Sequence, residues 1–260
     1  RQMCIRDRFY REWIEKAEEK NCLYLHFTMR DNPSLTPEIR QRYEGLYSGS
    51  FYRRFVLGEW CAPSGAVYPM FSAERHVAKE LPPGLTDWYL SCDYGTVNPC
   101  SIGLWGYCPA EGVWYRAAEY YHDSRREGVQ KTDEEYYAAL CRLAGDRPIR
   151  GITVDPSAAS FMECIRRHGV YPVIPAKNDV LDGIRRVSDL LQSGRLRFSA
   201  SCRDTLREFS QYCWEENAPE DRPRKEFDHA MDEIRYFVAT VVAPEEGEDL
   251  FFAGYVERHV

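Results

Sequence analysis

Three extended segments follow one another before any helix intervenes, and that order does most to limit the fold. Residues 88–92, 101–107 and 113–121 are apolar runs joined by short turns at Asn98-Pro99 and at 109–112, the spacing of consecutive hairpins. Thr132 with Glu135 three residues later predicts a capping box and a helix. Alternation then sets in: a strand over 149–154, a helix over 158–168, a strand over 170–173, a helix over 180–192. A short strand at 196–198 and helices over 203–213 and 228–242 complete the chain. A meander that feeds parallel crossovers predicts an α/β fold, a mixed sheet flanked by helices.

The N-terminal quarter is less regular. Residues 1–8, RQMCIRDR, extend no element and resemble a translated sequencing adaptor, so they are expected to be a non-native extension. Residues 9–20 predict an amphipathic helix and 23–28 a strand. Thr36 then stands as N-cap of a helix with Pro37 at its first position. Residues 63–86, with Pro82-Pro83-Gly84, read as a linker. The organised domain is expected over 87–244, with an acidic linker and tail over 245–260.

No run approaches the roughly 18 apolar residues that a membrane span needs. Ten cysteines contain no C-x-x-C pair; they sit in apolar stretches, as small buried hydrophobes do, and their spacing disfavours zinc. The net charge of −7 is unevenly spread. Arg185 with Arg186, and Arg222, Arg224 and Lys225 just before the final helix, form local basic stretches; with Lys177 of the loop PAKND they are the candidate nucleic-acid contacts, the alternative being solvated surface charge. Local patches rather than net charge decide phosphate binding. Phe209, Tyr212 and Trp214, at helical spacing, are expected in the core.

The candidate chemistry rests on aspartates. Asp93 closes the first long strand, Asp155 closes the fourth, and Asp228 and Asp232 stand one turn apart at the start of the last helix. Carboxylates at strand ends point into the crevice where open α/β sheets hold ligands. An all-oxygen set of this kind suits Mg²⁺ or Mn²⁺, and two such ions hydrolyse phosphodiesters. Asp228 is either a fourth acid of the site or simply the N-cap. His229 is either a ligand or proton donor, or a half-buried helix histidine. Asp179 and Asp182 read as helix-start acids.

The order of elements, with acids ending the first and fourth strands, resembles the ribonuclease H-like fold. The motifs DNPSLTPEI, GEW followed by SGAVYPMF, DYG, TVDPS and DHAMDEIRY together resemble the large subunit of tailed-phage terminases. The resemblance implies a metal-dependent endonuclease that cuts concatemeric double-stranded DNA during genome packaging, with two Mg²⁺ or Mn²⁺ ions. It places Asp93, Asp155 and Asp232 on the metal-binding triad and His229 on the histidine of an H-x-x-D helix. It further implies portal and small terminase partners for the full-length protein, no membrane, and the cytoplasm of a bacterial host. Terminase large subunits also carry an ATPase motor, yet the sequence contains no G-x-x-x-x-G-K-[ST]. Residues 9–62 are therefore expected to be the last piece of that motor. The alternatives are another ribonuclease H-like nuclease, such as a resolvase or transposase, and a non-catalytic DNA-binding or docking module on the same fold.

Overall fold

The computed structural model describes residues 10–46, 52–53, 56–59, 65–215, 218 and 221–242. The expected extension at 1–8, Trp60 of the GEW motif and the tail at 245–260 lie outside the described residues. Among those described, helix α1 (Pro37–Leu46) comes first, followed by the short α2 (Ala73–His76) and edge strand β1 (Val77–Ala78). The meander consists of β2 (Thr86–Asp93), β3 (Cys100–Cys108) and β4 (Val113–His122). Next come α3 (Ser124–Glu127), α4 (Asp133–Ala144), β5 (Ile149–Val154), α5 (Ala159–His168) and β6 (Val173–Pro175). The chain continues through α6 (Val180–Gln192), β7 (Leu196–Ser199), α7 (Arg203–Gln211) and α8 (His229–Phe237), which runs on as a π-turn, Val238–Val242.

The strands form one seven-stranded sheet in the order β1-β7-β4-β3-β2-β5-β6. Pairs β2/β3 and β3/β4 are antiparallel, while β2/β5, β5/β6, β4/β7 and β1/β7 are parallel. This is the mixed sheet that the sequence predicts. Thr132 and Glu135 form the expected reciprocal capping box on α4.

Alternation along β2 sends successive side chains to opposite faces. Leu90 and Cys92 pack with Tyr136, Leu140, Phe161 and Ile165 of α4 and α5. On the other face, Ile184 and Val187 of α6, Phe209 of α7 and Ile234 and Phe237 of α8 make a second core. Phe209, Tyr212 and Trp214 are buried there, as expected.

Two N-terminal expectations fail. The strand expected at 23–28 does not form: Leu23 is 84% exposed, Leu25 and Phe27 are exposed, and no described strand pairs with them. Asp31 instead accepts bonds from the Thr28 amide and hydroxyl and turns the chain into one 3₁₀ turn. The helix expected at 9–20 is a π-turn, Tyr10–Ile14, followed by turns. Farther on, much of the stretch read as a linker is packed. Val67 and Tyr68 join the α6–α8 core, Ala66 bridges Cys213, and buried His76 bonds the Leu191 carbonyl through Nε2 at 2.9 Å. Apolar Val67, Tyr68 and Phe71 supply the burial that Pro82-Pro83-Gly84 concealed from a reading by turn residues.

Helix α8 is seated on the sheet by a buried ion network. Arg116 of β4 and Glu233 of α8 have no exposed side-chain surface and meet at 2.7 Å. Trp105 Nε1 donates to Glu233 Oε1 at 2.9 Å, and the Ser91 hydroxyl donates to the same oxygen. Arg116 also pairs with Glu119 at 2.8 Å and donates to Ser101. Burial pushes the Glu233 carboxyl up to about 7 in spite of Arg116. The network needs Gly103, because a methyl group there would press on the Glu233 carboxylate and lie 2.7 Å from Arg116 Nε. Removing Glu233 leaves the buried Arg116 charge with Glu119 but without its other carboxylate, and breaking a buried pair costs up to about 3–5 kcal/mol. Glu233→Ala should therefore lower unfolding free energy by about that amount in urea titration. A change within the roughly ±0.5 kcal/mol of an ordinary surface substitution would show that the pair does not seat the helix.

Candidate active site

The sheet register sets two of the acids side by side. Strands β2 and β5 run parallel with Cys92 opposite Val154, so Asp93 and Asp155 leave neighbouring strands at the same end. Adjacent strands lie roughly 4.8 Å apart. Asp93 shares the face of Ser91, the face that α8 covers. The third contribution comes from α8. His229 Nδ1 lies 2.9 Å from Asp93 Oδ2, and His229 Nε2 lies 3.8 Å from Asp228 Oδ1. Asp228 and Asp232 are both buried.

Asp228 occupies the N-cap position of α8, but its carboxylate makes no capping bond. Glu208 of α7 does that work: Oε2 accepts the Ala230 amide at 2.6 Å, while Oε1 accepts the Tyr121 hydroxyl at 2.6 Å. Glu208 is fully buried, and no local spacing signalled it, because the capping residue lies 22 positions upstream. Its effect is to leave Asp228 available to the cluster. Helix α7 is capped in the same remote manner. Glu119 accepts the Asp204 and Thr205 amides at 2.8 and 3.1 Å.

Charge is crowded here. Burial, then the charges of Asp232 and Asp228, push the Asp93 carboxyl up to about 6, although the His229 hydrogen bond opposes them. Burial and Asp232 likewise raise Asp228. Burial alone would lower His229, but the hydrogen bond and charge of Asp93, with Asp228 and Glu208, hold it above an ordinary imidazole. Asp155 behaves oppositely. Burial would raise it, yet bonds from Ser157 and the Tyr236 hydroxyl outweigh that and leave it below the usual carboxylate range. Tyr236 stands among the acids, its hydroxyl pushed up by burial and then by the charges of Asp93 and Asp232. It was not picked out from the sequence, where it reads as one more core aromatic.

Two cations hold Asp232. Arg235 donates to Oδ1 at 3.0 Å, and Lys225 Nζ lies 3.3 Å from Oδ2 and 3.4 Å from Asp228 Oδ2. Lys225, read as part of a DNA-facing basic stretch, thus turns onto the acids. The other basic residues of that reading are dispersed. Arg185 and Arg186 of α6 pair with Asp182, and Arg185 also pairs with Asp189. Arg222 pairs with Glu215 at 2.5 Å, and Arg224 is exposed. The Lys177 amide bonds Thr240 Oγ1, tying its loop to the turn after α8. Asp179 caps α6 by accepting the Asp182 amide, the helix-start role expected of it.

The donor set fits a hard divalent cation. Asp93, Asp155, Asp228 and Asp232 offer only carboxylate oxygens, and burial, with neighbouring carboxylates adding to it, raises Asp93 and Asp228.

A family model described as the terminase RNaseH-like domain matches residues 110–240. The large terminase subunit of Escherichia phage T5 is 24% identical over 236 residues, covering 85% of this chain and 52% of that protein. The large terminase of a thermophilic bacteriophage, solved in complex with ADP, is 44% identical with a TM-score of 0.87. That match covers 93% of this chain and 61% of the thermophilic phage protein. The P22 large terminase nuclease domain shares the fold, at 18% identity and a TM-score of 0.54, over 67% of this chain and 91% of that domain. The chain therefore spans between half and two thirds of the length of the T5 and thermophilic phage proteins. It belongs to the terminase ribonuclease H-like family.

The opposite environments of Asp93 and Asp155 have opposite consequences for stability. A carboxyl raised in the folded state stabilises below its unfolded value and loses that contribution as pH climbs through about 6. A carboxyl lowered in the folded state contributes stability above its unfolded value. At neutral pH without divalent metal, Asp93→Asn should therefore keep or raise the melting temperature, and Asp155→Ala should lower it. Thermal melts in EDTA decide the matter, and equal losses in both variants would refute the charge assignment.

Proposed function

We propose that the chain is the metal-dependent endonuclease domain of a viral terminase large subunit, cutting concatemeric double-stranded DNA during genome packaging. The observation that carries the reading is the gathering of acids from three distant segments around one histidine. Asp93 from β2 and Asp228 at the N-cap of α8 flank His229, and the parallel register of β2 and β5 sets Asp155 beside Asp93 at the same end of the sheet. Family membership supports it. The 44% identity to a large terminase favours this reading over a resolvase or transposase.

In this reading Asp93, Asp155, Asp228 and Asp232 would hold two Mg²⁺ or Mn²⁺ ions. Bound there, the ions would supply an activated water and neutralise charge on the scissile phosphate. The chain's own groups do the rest. Asp93 orients the His229 ring through Nδ1, which suits proton delivery to the leaving oxygen. Arg235, nearly fully buried, fixes one oxygen of Asp232, so only the oxygen beside Lys225 changes partner. Gly183 makes room for the Arg235 stem, since a methyl group there would meet Cδ at 2.7 Å. The Ser157 amide holds Asp155 at 2.7 Å.

Double-stranded DNA is the proposed substrate. Lys177, Arg185, Arg186, Arg222, Arg224 and Lys225 are the proposed contacts, with several ion pairs exchanged for phosphate. The portal and small terminase subunit are proposed partners of the whole protein, and the bacterial host cytoplasm its place of action. No helix of the described residues is long and apolar enough to cross a membrane. We assign residues 9–62 to the end of the motor domain. The match to the thermophilic phage large terminase reaches 93% of the chain, against 67% for the isolated P22 nuclease domain, which supports that assignment.

Two experiments test this reading. Supercoiled plasmid should be nicked with Mn²⁺, spared in EDTA, and spared by Asp93→Asn at any Mn²⁺ concentration. Cutting that survives EDTA or the substitution would exclude the site. Separately, Lys225→Met removes a cation that competes with metal for Asp228 and Asp232. It should tighten Mn²⁺ binding, read by calorimetry, by roughly a factor of ten, about 1.4 kcal/mol. Unchanged or weaker binding would mean that Lys225 does not stand where the metal binds.

A further inference from the structure

On the sheet face opposite α8, a second cluster of ligand-type side chains joins α4 to α5. Cys164 and His168 are one turn apart on α5, so both project from the same side of that helix. Glu134, in the first turn of α4, reaches between them. His168 Nε2 lies 2.8 Å from Glu134 Oε2, and Cys164 Sγ lies 3.5 Å from Glu134 Oε1. One ligand atom from each residue falls within 4.8 Å of the other two. The His168 ring stacks on Tyr137 at 3.8 Å and 5°, which fixes the direction of its nitrogens.

We propose that Glu134, Cys164 and His168 bind a single Zn²⁺ ion, separate from the nuclease site, that ties α4 to α5. The donor set of one sulfur, one imidazole nitrogen and one carboxylate oxygen is the chemistry of a borderline-soft ion and is ill matched to Mg²⁺. With metal–ligand bonds of roughly 2.0–2.3 Å, tetrahedral ligands stand about 3.3–3.8 Å apart, so the three atoms need only small adjustments. Solvent supplies the fourth ligand, since the Glu134 and His168 side chains are 62% and 38% exposed while Cys164 forms the buried floor. Burial and Glu134 push the Cys164 thiol up to about 11, so the metal-free cluster holds a neutral thiol. Binding breaks the S–H bond, forms the S–Zn bond and releases one proton to water, with no change of oxidation state. Helix α5 starts at Ala159, shortly after Asp155, so the ion would brace the segment that leaves the nuclease site. The sequence concealed the cluster because its third ligand lies 30 positions from the cysteine on another helix.

Cobalt(II) makes the site visible. Titrating the full chain with Co²⁺ should give a sulfur-to-cobalt charge-transfer band and the strong visible absorption of a tetrahedral ion. Both should saturate at one equivalent and vanish when Zn²⁺ displaces the cobalt. The signals should persist in Asp93→Asn, whose carboxylate site can give only weak octahedral absorption, so the two sites are told apart. They should be lost in Cys164→Ser. Glu134→Ala, a change at an exposed side chain, should weaken binding at least tenfold and provides the test if the serine variant does not fold. Stoichiometric Zn²⁺, but not Mg²⁺, should raise the melting temperature of the parent and not of Glu134→Ala. No charge-transfer band in the parent, or the same band at the same affinity in Glu134→Ala, would overturn the proposal.

Discussion

The pairing of Arg116 with Glu233 is the constraint on which the rest of this molecule depends. A helix that carries acids can lie over a strand that ends in another acid only if something fixes its height and rotation against repulsion. Apolar packing sets the height through Phe237 on Trp105 and Ile234 in the core. The ion pair sets the rotation, because a charge without exposed surface tolerates no alternative to its partner. Glu233 and Asp232 are consecutive, so anchoring one to the sheet delivers the other to the site. The same arginine reaches Glu119, whose oxygens cap α7, and Glu208 of α7 in turn caps α8. One buried guanidinium thus organises both helix starts near the acids. Buried ion pairs contribute little net stability compared with apolar packing, and their strength lies in what they forbid.

At the site the same physics runs in reverse, with carboxylates outnumbering their cations. Asp93 and Asp228 are raised and share His229, while Asp155 is satisfied by Ser157 and Tyr236. This asymmetry separates a group held in a state it disfavours from one already at rest. A divalent ion on the proposed function relieves the first kind, Asp93 and Asp228, more than the second.

Most of the sheet was legible from the sequence because its strands are apolar runs with clear turns and its longer helices carry caps or periodic faces. The α4 capping box and the ends of α6 could be read directly. Residues 23–28 misled because alternating apolar residues satisfy a strand pattern whether or not a neighbouring strand exists to accept their hydrogen bonds. The packed stretch around Val67 and His76 misled for the converse reason, since prolines and glycine nearby masked its apolar content. Within the site, Asp93, Asp155, Asp228, Asp232 and His229 stood out by position, at strand ends and a helix start. Glu208, Glu233, Arg116 and Tyr236 did not, because their roles depend on residues far away in the chain, and a lone acid or arginine in a helix or strand looks like any surface charge.

The arginines show where reading charge from sequence falls short. The basic stretches at 185–186 and 222–225 read as phosphate-binding patches in the sequence, yet Asp182, Asp189, Glu215 and the acid pair itself already engage Arg185, Arg186, Arg222 and Lys225. Such pairs at a surface are worth roughly 0–1 kcal/mol each, so a phosphate can compete for them without unfolding anything. Lys225 differs, because burial of its partners strengthens the attraction and its pKa is raised by Asp232 and Asp228 in spite of its own desolvation. Releasing it takes another cation in its place. On the proposed function, metal and DNA therefore interact through a shared lysine. An ion that occupies the acids frees a positive charge at the edge of the site, and a phosphate that engages that charge makes the lysine's return less favourable. An acidic protein can in this way hold a polyanion without a permanent basic surface, provided the divalent ion arrives first or with it.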